Sequence, residues 1–173
     1  IVDMRPRLLE RGRVADIASV RVETHPLALA LTNARPHTTL GAKFSMPHAV
    51  AAALATGSGG ADAFSAPTLT EPMIAALRER VRVVPRDREL PPPNDRPARV
   101  IVEFKSGARV EAECLSALGG PDRPLPPETV FDKVATLATP VYPQLLPVLK
   151  SLVALEAARM RTGWADIVEE FTA

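Results

Sequence analysis

This chain has one cysteine, almost no net charge and no long apolar run, and each of these scarcities excludes a class of protein. The single cysteine, Cys114, excludes a disulfide within the chain and an all-cysteine zinc or iron-sulfur site built from this chain alone. A net charge of +1 gives no field that would attract nucleic acid or an anionic membrane surface. No apolar run approaches the roughly 20 residues that span a bilayer, and the charged first residues do not resemble a signal peptide. We therefore expect no nucleic-acid partner, no membrane partner and a cytoplasmic location.

The apolar residues that are present suffice for one core. A chain of 173 residues with 46% hydrophobic content matches one domain over residues 1–173. Apolar alternation predicts strands at 16–24 and 81–87 and a hairpin at 98–115, and apolar residues at helical spacing predict the helices. Because the hairpin is antiparallel, we expect an α+β fold, a two-layer sandwich of a small, mainly antiparallel sheet and packed helices. On the first strand Ala18, Val20 and Val22 are predicted to face the core.

The loop of the hairpin decides which residues pair. A two-residue loop pairs Phe104 with Arg109 and so sets an apolar face beside a charged one. A three-residue loop at 106–108 instead pairs Phe104 with Val110 and leaves Gly107 free to take a positive φ angle. We predict the longer loop.

Two helices carry recognisable start signals. The segment AKFSMPHAVAAALATG, residues 42–57, has Ser45 at the N-cap position, Pro47 in the first turn and Gly57 at the end. A second helix follows from residue 68, and its predicted N-cap is Thr70.

The common catalytic signatures are missing. The sequence contains no phosphate-binding GxxxxGK[ST], no HExxH, no GxSxG and no metal-ligand cluster, so we expect no metal or cofactor. Cys114 falls on the apolar face of a strand, a pattern typical of a buried structural thiol. The three histidines are isolated in sequence, and such residues are most simply surface or turn residues.

Lys43, Ser45 and His48 surround the first turn of the 42–57 helix. A helix N-terminus carries unpaired N–H groups and a partial positive charge, and both favour a carboxylate. Lys43 would add charge, Ser45 a hydroxyl, and His48 a group that exchanges protons near neutral pH. The alternative is that Ser45 is only a cap and that His48 is only an exposed side chain.

Four blocks of sequence resemble the carboxyl-terminal half of the MmgE/PrpD family. They are PHTTLGAKFSMPHAVAAALATG, PMIAALRERVRVV, PARVIVEFKSGARVEAE and GGPDRPLPPETVFDKVATLA, in that order. The positions that match the family pattern are Ala42, Lys43, Ser45, Gly120, Pro121, Pro124, Leu125 and Lys133. The family includes 2-methylcitrate dehydratase, cis-aconitate decarboxylase and iminodisuccinate epimerase.

The resemblance implies the smaller α+β domain of a lyase or isomerase whose helical amino-terminal domain precedes it. Family members act without metal or cofactor on small di- and tricarboxylates in the cleft between the two domains. By this resemblance Lys43 and Ser45 are substrate-binding and His48 is catalytic, at a position where many relatives have a tyrosine. The implied partners are a small carboxylate substrate, the helical domain of the same enzyme and a second copy in a homodimer. This chain alone should lack part of the catalytic set.

A second hypothesis comes from a different functional class. A truncated, non-catalytic relative would serve as a dimerisation or partner-binding module. Its apolar face would then be exposed where the helical domain otherwise docks.

Overall fold

The computed structural model describes residues 1–172. The chain consists of two compact units, Ile1–Ala117 and Leu118–Ala173. A four-stranded sheet lies in the first unit together with helices, so the expected α+β class is confirmed. The expectation of one domain over residues 1–173 stays a prediction.

The sheet of the first unit is mixed but mainly antiparallel. Its strands are β1 (Ile17–Thr24), β2 (Val81–Pro85), β3 (Ala98–Phe104) and β4 (Arg109–Cys114), in the spatial order β2-β1-β3-β4. β1 pairs with β2 in parallel, whereas the pairs β1–β3 and β3–β4 are antiparallel. A parallel pair needs a crossover connection, and the helices between β1 and β2 supply it.

The β3–β4 hairpin has the predicted three-residue loop, but its register differs from the prediction by two residues. Val110 pairs with Val102 rather than with Phe104, whose N–H donates to the carbonyl of Ala108. The loop therefore ends at Gly107, which has a φ of +85°. In three-residue hairpin loops the left-handed residue comes last, so Gly107 fixes the register. The predicted partner of Phe104 was wrong, yet the apolar faces still coincide because the shift is even.

A bulge interrupts the start of β1. The register with β3 shifts between Ile17 and Ser19, which leaves Ala18 as the extra residue. Ile17 is buried and Ala18 is exposed, so the predicted inward position of Ala18 was wrong. Val20 and Val22, beyond the bulge, face the core as predicted.

The first unit contains five α-helices among its described residues. They are α1 (Arg5–Leu9), α2 (Thr39–Lys43), α3 (Met46–Thr56), α4 (Ala66–Thr70) and α5 (Pro72–Arg78). α3 begins after the predicted cap Ser45 and ends at Gly57, whose φ of +82° is the left-handed conformation expected there. The Arg5 side chain donates to the carbonyls of Leu54 and Ala55 and so satisfies the last turn of α3.

The N-cap of α5 is Glu71, not the predicted Thr70. The Glu71 carboxylate accepts a hydrogen bond from the N–H of Ile74 at 2.6 Å, whereas Thr70 is the last residue of α4. Pro72 disfavours the helical conformation at the residue before it, and Glu71 is accordingly extended. The segment after residue 68 is therefore two helices.

α3 and α5 form the second layer, and one core joins them to the sheet. The core includes Val20, Val22, Ala51, Leu54, Ile74, Leu77, Val100 and Val102. Small alanine side chains on α3 permit close packing against the strands. The opposite face of the sheet carries ion pairs among Arg21, Glu23, Arg99, Arg109 and Glu111. This arrangement of an apolar inner face and a charged outer face agrees with the expected two layers.

The second unit is mainly helical. Its helices are α6 (Pro127–Leu137), α7 (Leu145–Val153), α8 (Ala157–Met160) and α9 (Trp164–Thr172). Arg159 donates to Ser151 and forms an ion pair with Glu170, which links α8 to α7 and α9. Within residues 1–172, no helix has the length and apolar character needed to cross a membrane.

Candidate functional site

Ser45 caps α3 through two hydrogen bonds. Its Oγ accepts from the backbone N–H of His48 at 3.0 Å and donates to the carbonyl of Asn33. The side chain is 1% exposed. Ser45 thus satisfies an otherwise unpaired N–H of the helix and also fastens the helix start to the segment before α2.

The first turn of α3 has its N–H groups occupied. The N–H of Met46 donates to the carbonyl of Leu31 at 2.8 Å, Pro47 has no N–H, and His48 donates to Ser45. A carboxylate at this turn would therefore meet side chains and the helix dipole rather than free backbone donors.

Lys43 is the predicted site residue that solvent reaches. It is exposed at the carboxyl end of α2, where its charge also favours the helix dipole. Among residues 1–172 its side-chain ammonium forms no hydrogen bond or ion pair. Its neighbour Phe44 is 61% exposed. The cation is therefore available to an anionic ligand.

His48 is completely buried, and both ring nitrogens have partners. Nε2 lies 3.0 Å from the carbonyl oxygen of Ala63 and 3.3 Å from the hydroxyl of Thr68. Nδ1 lies 3.2 Å from Nη1 of Arg78. The ring of Phe64 packs beside the imidazole, with centroids 5.9 Å apart. The surface or turn position considered from the sequence is therefore wrong for this histidine.

The environment of His48 favours its neutral form. Burial lowers the pKa of the imidazole below its ordinary value of 6.5. The hydrogen bond to Ala63 raises this pKa, and the positive charge of Arg78 lowers it further. The imidazole is thus uncharged near neutral pH.

Arg78 belongs to the site, although sequence reasoning did not identify it. Its side chain is 6% exposed, its Nη2 donates to the carbonyl of Leu69 at 2.9 Å, and its buried Nε has no hydrogen-bond partner. Burial lowers the pKa of this guanidinium. The sequence did indicate that Arg78 is buried, because it shares one helical face with the apolar residues Ile74 and Leu77.

Other predicted residues lie elsewhere. Lys133 is exposed on α6 of the second unit. Cys114 is exposed at the end of the edge strand β4, so its predicted burial was wrong. Burial along the inner face of this strand decreases from Val110 through Ala112 to Cys114. Within the described part of the chain, no group of three or more His, Cys, Asp or Glu side chains could hold a metal ion.

Comparison with known families matches residues 1–146 to the MmgE/PrpD C-terminal domain. The chain belongs to the MmgE/PrpD family. The match includes the turn with Lys43, Ser45 and His48, and the resemblance seen in the sequence is thereby confirmed. This family contains lyases and isomerases. A search of curated proteins finds no match to this chain.

Proposed function

We propose that this chain is the carboxyl-terminal domain of a cofactor-independent lyase or isomerase that acts on small di- or tricarboxylates, as 2-methylcitrate dehydratase does. One observation carries the proposal: the family match includes a turn in which Lys43 is exposed and unpaired among the described residues. The proposed partners are the helical domain of the same enzyme and a second copy of the protein. The proposed location is the cytoplasm.

Lys43 and Ser45 bind a substrate carboxylate in this proposal. Removal of a proton or a carboxylate next to a carboxyl group builds negative charge, and a fixed cation stabilises it. Lys43 supplies that cation. Ser45 holds the turn through Asn33 and His48, and its hydroxyl donates to the carboxylate only after it releases the Asn33 carbonyl.

His48 is the proposed proton or hydrogen-bond donor. Its Nε2 is covered by residues 61–68, which provide the Ala63 carbonyl, the Phe64 ring and the Thr68 hydroxyl. A substrate can reach Nε2 only when this segment moves aside. The proposal therefore includes an opening of residues 61–68 on substrate binding.

Assays of the complete protein with methylcitrate and aconitate test these roles. We expect Lys43→Ala to raise KM by roughly tenfold or more, because a charge-assisted hydrogen bond contributes about 1.5–3 kcal/mol. We expect His48→Ala to lower kcat by roughly 100-fold, since alanine neither exchanges a proton nor donates a hydrogen bond. Lys105→Ala, which removes an exposed lysine of the hairpin loop, is the control and should change neither constant. Unchanged turnover in His48→Ala contradicts the role of His48, and an unchanged KM in Lys43→Ala contradicts that of Lys43.

One observation also favours the partner-binding module as a second candidate. Leu40 in α2 and Phe44, the residue that follows this helix, are 64% and 61% exposed. The Phe44 N–H donates to the Leu40 carbonyl at 3.3 Å, so the two residues lie one helical turn apart. An apolar pair beside Lys43 suits contact with another protein surface. In a complete enzyme the helical domain would take that place.

A further inference from the structure

Arg78 and His48 form a buried pair in which a guanidinium faces an imidazole. Nη1 of Arg78 lies 3.2 Å from Nδ1 of His48, and the two side chains are 6% and 0% exposed. Arginine has five N–H donors and no acceptor, so Nδ1 must present a lone pair to it. The carbonyl of Ala63, 3.0 Å from Nε2, accepts only, so Nε2 must carry the hydrogen. Both contacts select the same neutral tautomer.

We propose that Arg78 is a positioning residue that holds His48 as the neutral Nε2–H imidazole. The assignment of the ring form rests on the two contacts alone. Its catalytic consequence rests on the function proposed above and deepens it: His48 would meet a substrate as a neutral donor at Nε2 rather than as a cationic acid.

Two hydrogen-bond partners compensate the burial of Arg78, and neither is a carboxylate. None of the salt bridges among residues 1–172 includes it, and its Nε is buried without a partner. A buried guanidinium without a bonded carboxylate is unfavourable, so groups of this kind are seldom kept by packing alone. The groups that Arg78 does serve are Nδ1 of His48 and the carbonyl of Leu69.

Arg78 is the charged group that faces the imidazole of His48. The 61–64 turn contributes the Ala63 carbonyl and the Phe64 ring, and α4 contributes the Thr68 hydroxyl. On α5, the carboxylate next to Arg78 is Glu79, which bonds Arg35 at 2.8 Å. α3 itself contributes no second titratable side chain. Protonation of Nδ1 would point a hydrogen at the guanidinium, so Arg78 opposes it.

Long-range ¹H–¹⁵N spectra of the 173-residue chain test the proposal. A His25→Gln, His37→Gln background leaves His48 as the sole histidine, and neither replaced side chain contacts it. We expect distinct ring nitrogens at pH 8, with the hydrogen on Nε2, and conversion to the protonated ring with a midpoint below pH 6.5. A hydrogen on Nδ1, or two averaged nitrogens, overturns the proposal without any variant of Arg78.

Variants of Arg78 then test its role. Arg78→Met removes the donor and the charge, and the titration midpoint of His48 should shift upward. Arg78→Lys keeps a positive donor and should restore the wild-type midpoint. Arg80→Met is the matched control, because Arg80 bonds the carbonyl of Ile17 and not the ring. An equal midpoint in Arg78→Met, Arg80→Met and the wild type overturns the proposal. If Arg78→Met does not fold, the wild-type and Arg78→Lys spectra decide.

The spectra and the enzyme assay separate two failures. An Nε2–H ring that responds to Arg78, together with full turnover in His48→Ala, supports the positioning role and contradicts the proposed catalytic role of His48. Loss of turnover in His48→Ala together with an Nδ1–H ring supports the catalytic role and contradicts the positioning role.

Discussion

His48 shares a helical face with Ala51 and Ala52, three and four residues further along α3. All three are completely buried. The sequence therefore contained the signal for a buried histidine, since a polar residue on an apolar helix face is normally satisfied by a hydrogen bond inside the core. What the sequence did not contain is the identity of its partners, Ala63, Thr68 and Arg78.

The buried imidazole should make the stability of the fold depend on pH. Its pKa in the folded chain lies below 6.5, mainly because burial disfavours the charged ring. As the pH falls below about 6.5, His48 binds a proton in the unfolded chain more readily than in the folded chain. We expect the contribution of His48 to the free energy of unfolding to be constant above that pH and to decrease below it. Urea unfolding at a series of pH values measures the effect.

His48→Gln is the matched variant for this measurement. Its amide offers a donor to Ala63 and an acceptor to Arg78 but does not titrate. Protonation of distant carboxylates affects both chains alike, so the difference in unfolding free energy between them isolates the imidazole. A difference that stays constant between about pH 8 and pH 5 would show that the folded ring has an ordinary pKa.

The N-cap residues of α3 and α5 follow rules that involve only neighbouring residues. Ser45 was predictable as a cap because serine followed by proline at the second helical position is a recognised start. Glu71 was missed in favour of Thr70, although Pro72 already indicated that the residue before it is extended. The information was local in both cases, and the error lay in the weight given to threonine.

Replacing each cap by alanine tests these assignments. Glu71→Ala should lower the free energy of unfolding by about 1 kcal/mol, and Thr70→Ala by less than about 0.5 kcal/mol. Ser45→Ala should cost about 2 kcal/mol, because it also removes the hydrogen bond to the Asn33 carbonyl inside the fold. Urea unfolding of the three variants measures these losses in the free energy of unfolding and so gives their order. A larger loss for Thr70→Ala than for Glu71→Ala would mean that the helix begins where the sequence analysis placed it.

The hairpin shows how a small local error changes register without changing the fold. Gly107 was recognised as the residue with positive φ, but it was placed in the middle of the loop rather than at its end. The correct register pairs Val102 with Val110. Because the side-chain period of a strand is two, the displacement kept the apolar residues on the core face.

In the molecule as a whole, two features affect association between copies. They are the near-zero net charge and the exposed apolar pair Leu40 and Phe44. A net charge of +1 provides little repulsion between copies. If the first unit contacts a second copy through Leu40 and Phe44, sedimentation of the chain should depend on concentration, and Leu40→Ser with Phe44→Ser should abolish that dependence. Analytical ultracentrifugation measures both.

Leu9→Ser is the control for this experiment, because Leu9 is 45% exposed on α1 and is not part of the Leu40–Phe44 pair. It should leave the association unchanged. A wild-type chain that sediments as a monomer at every concentration would count against the homodimer through this surface and against a dimerisation module. The enzymatic proposal does not depend on that result.

The sequence by itself determined the α+β class, the order of most helices and strands, the family and the turn that carries Lys43, Ser45 and His48. These properties follow from periodicity, caps and motifs, which involve residues close together in the chain. The tertiary structure alone decided which groups bond the imidazole, because Ala63 and Arg78 lie 15 and 30 residues away from it. It also decided which cations are accessible: Lys43 reaches solvent, while Arg78 lies in the core. Burial is set by which segments pack together, and a pattern along the chain does not specify that packing.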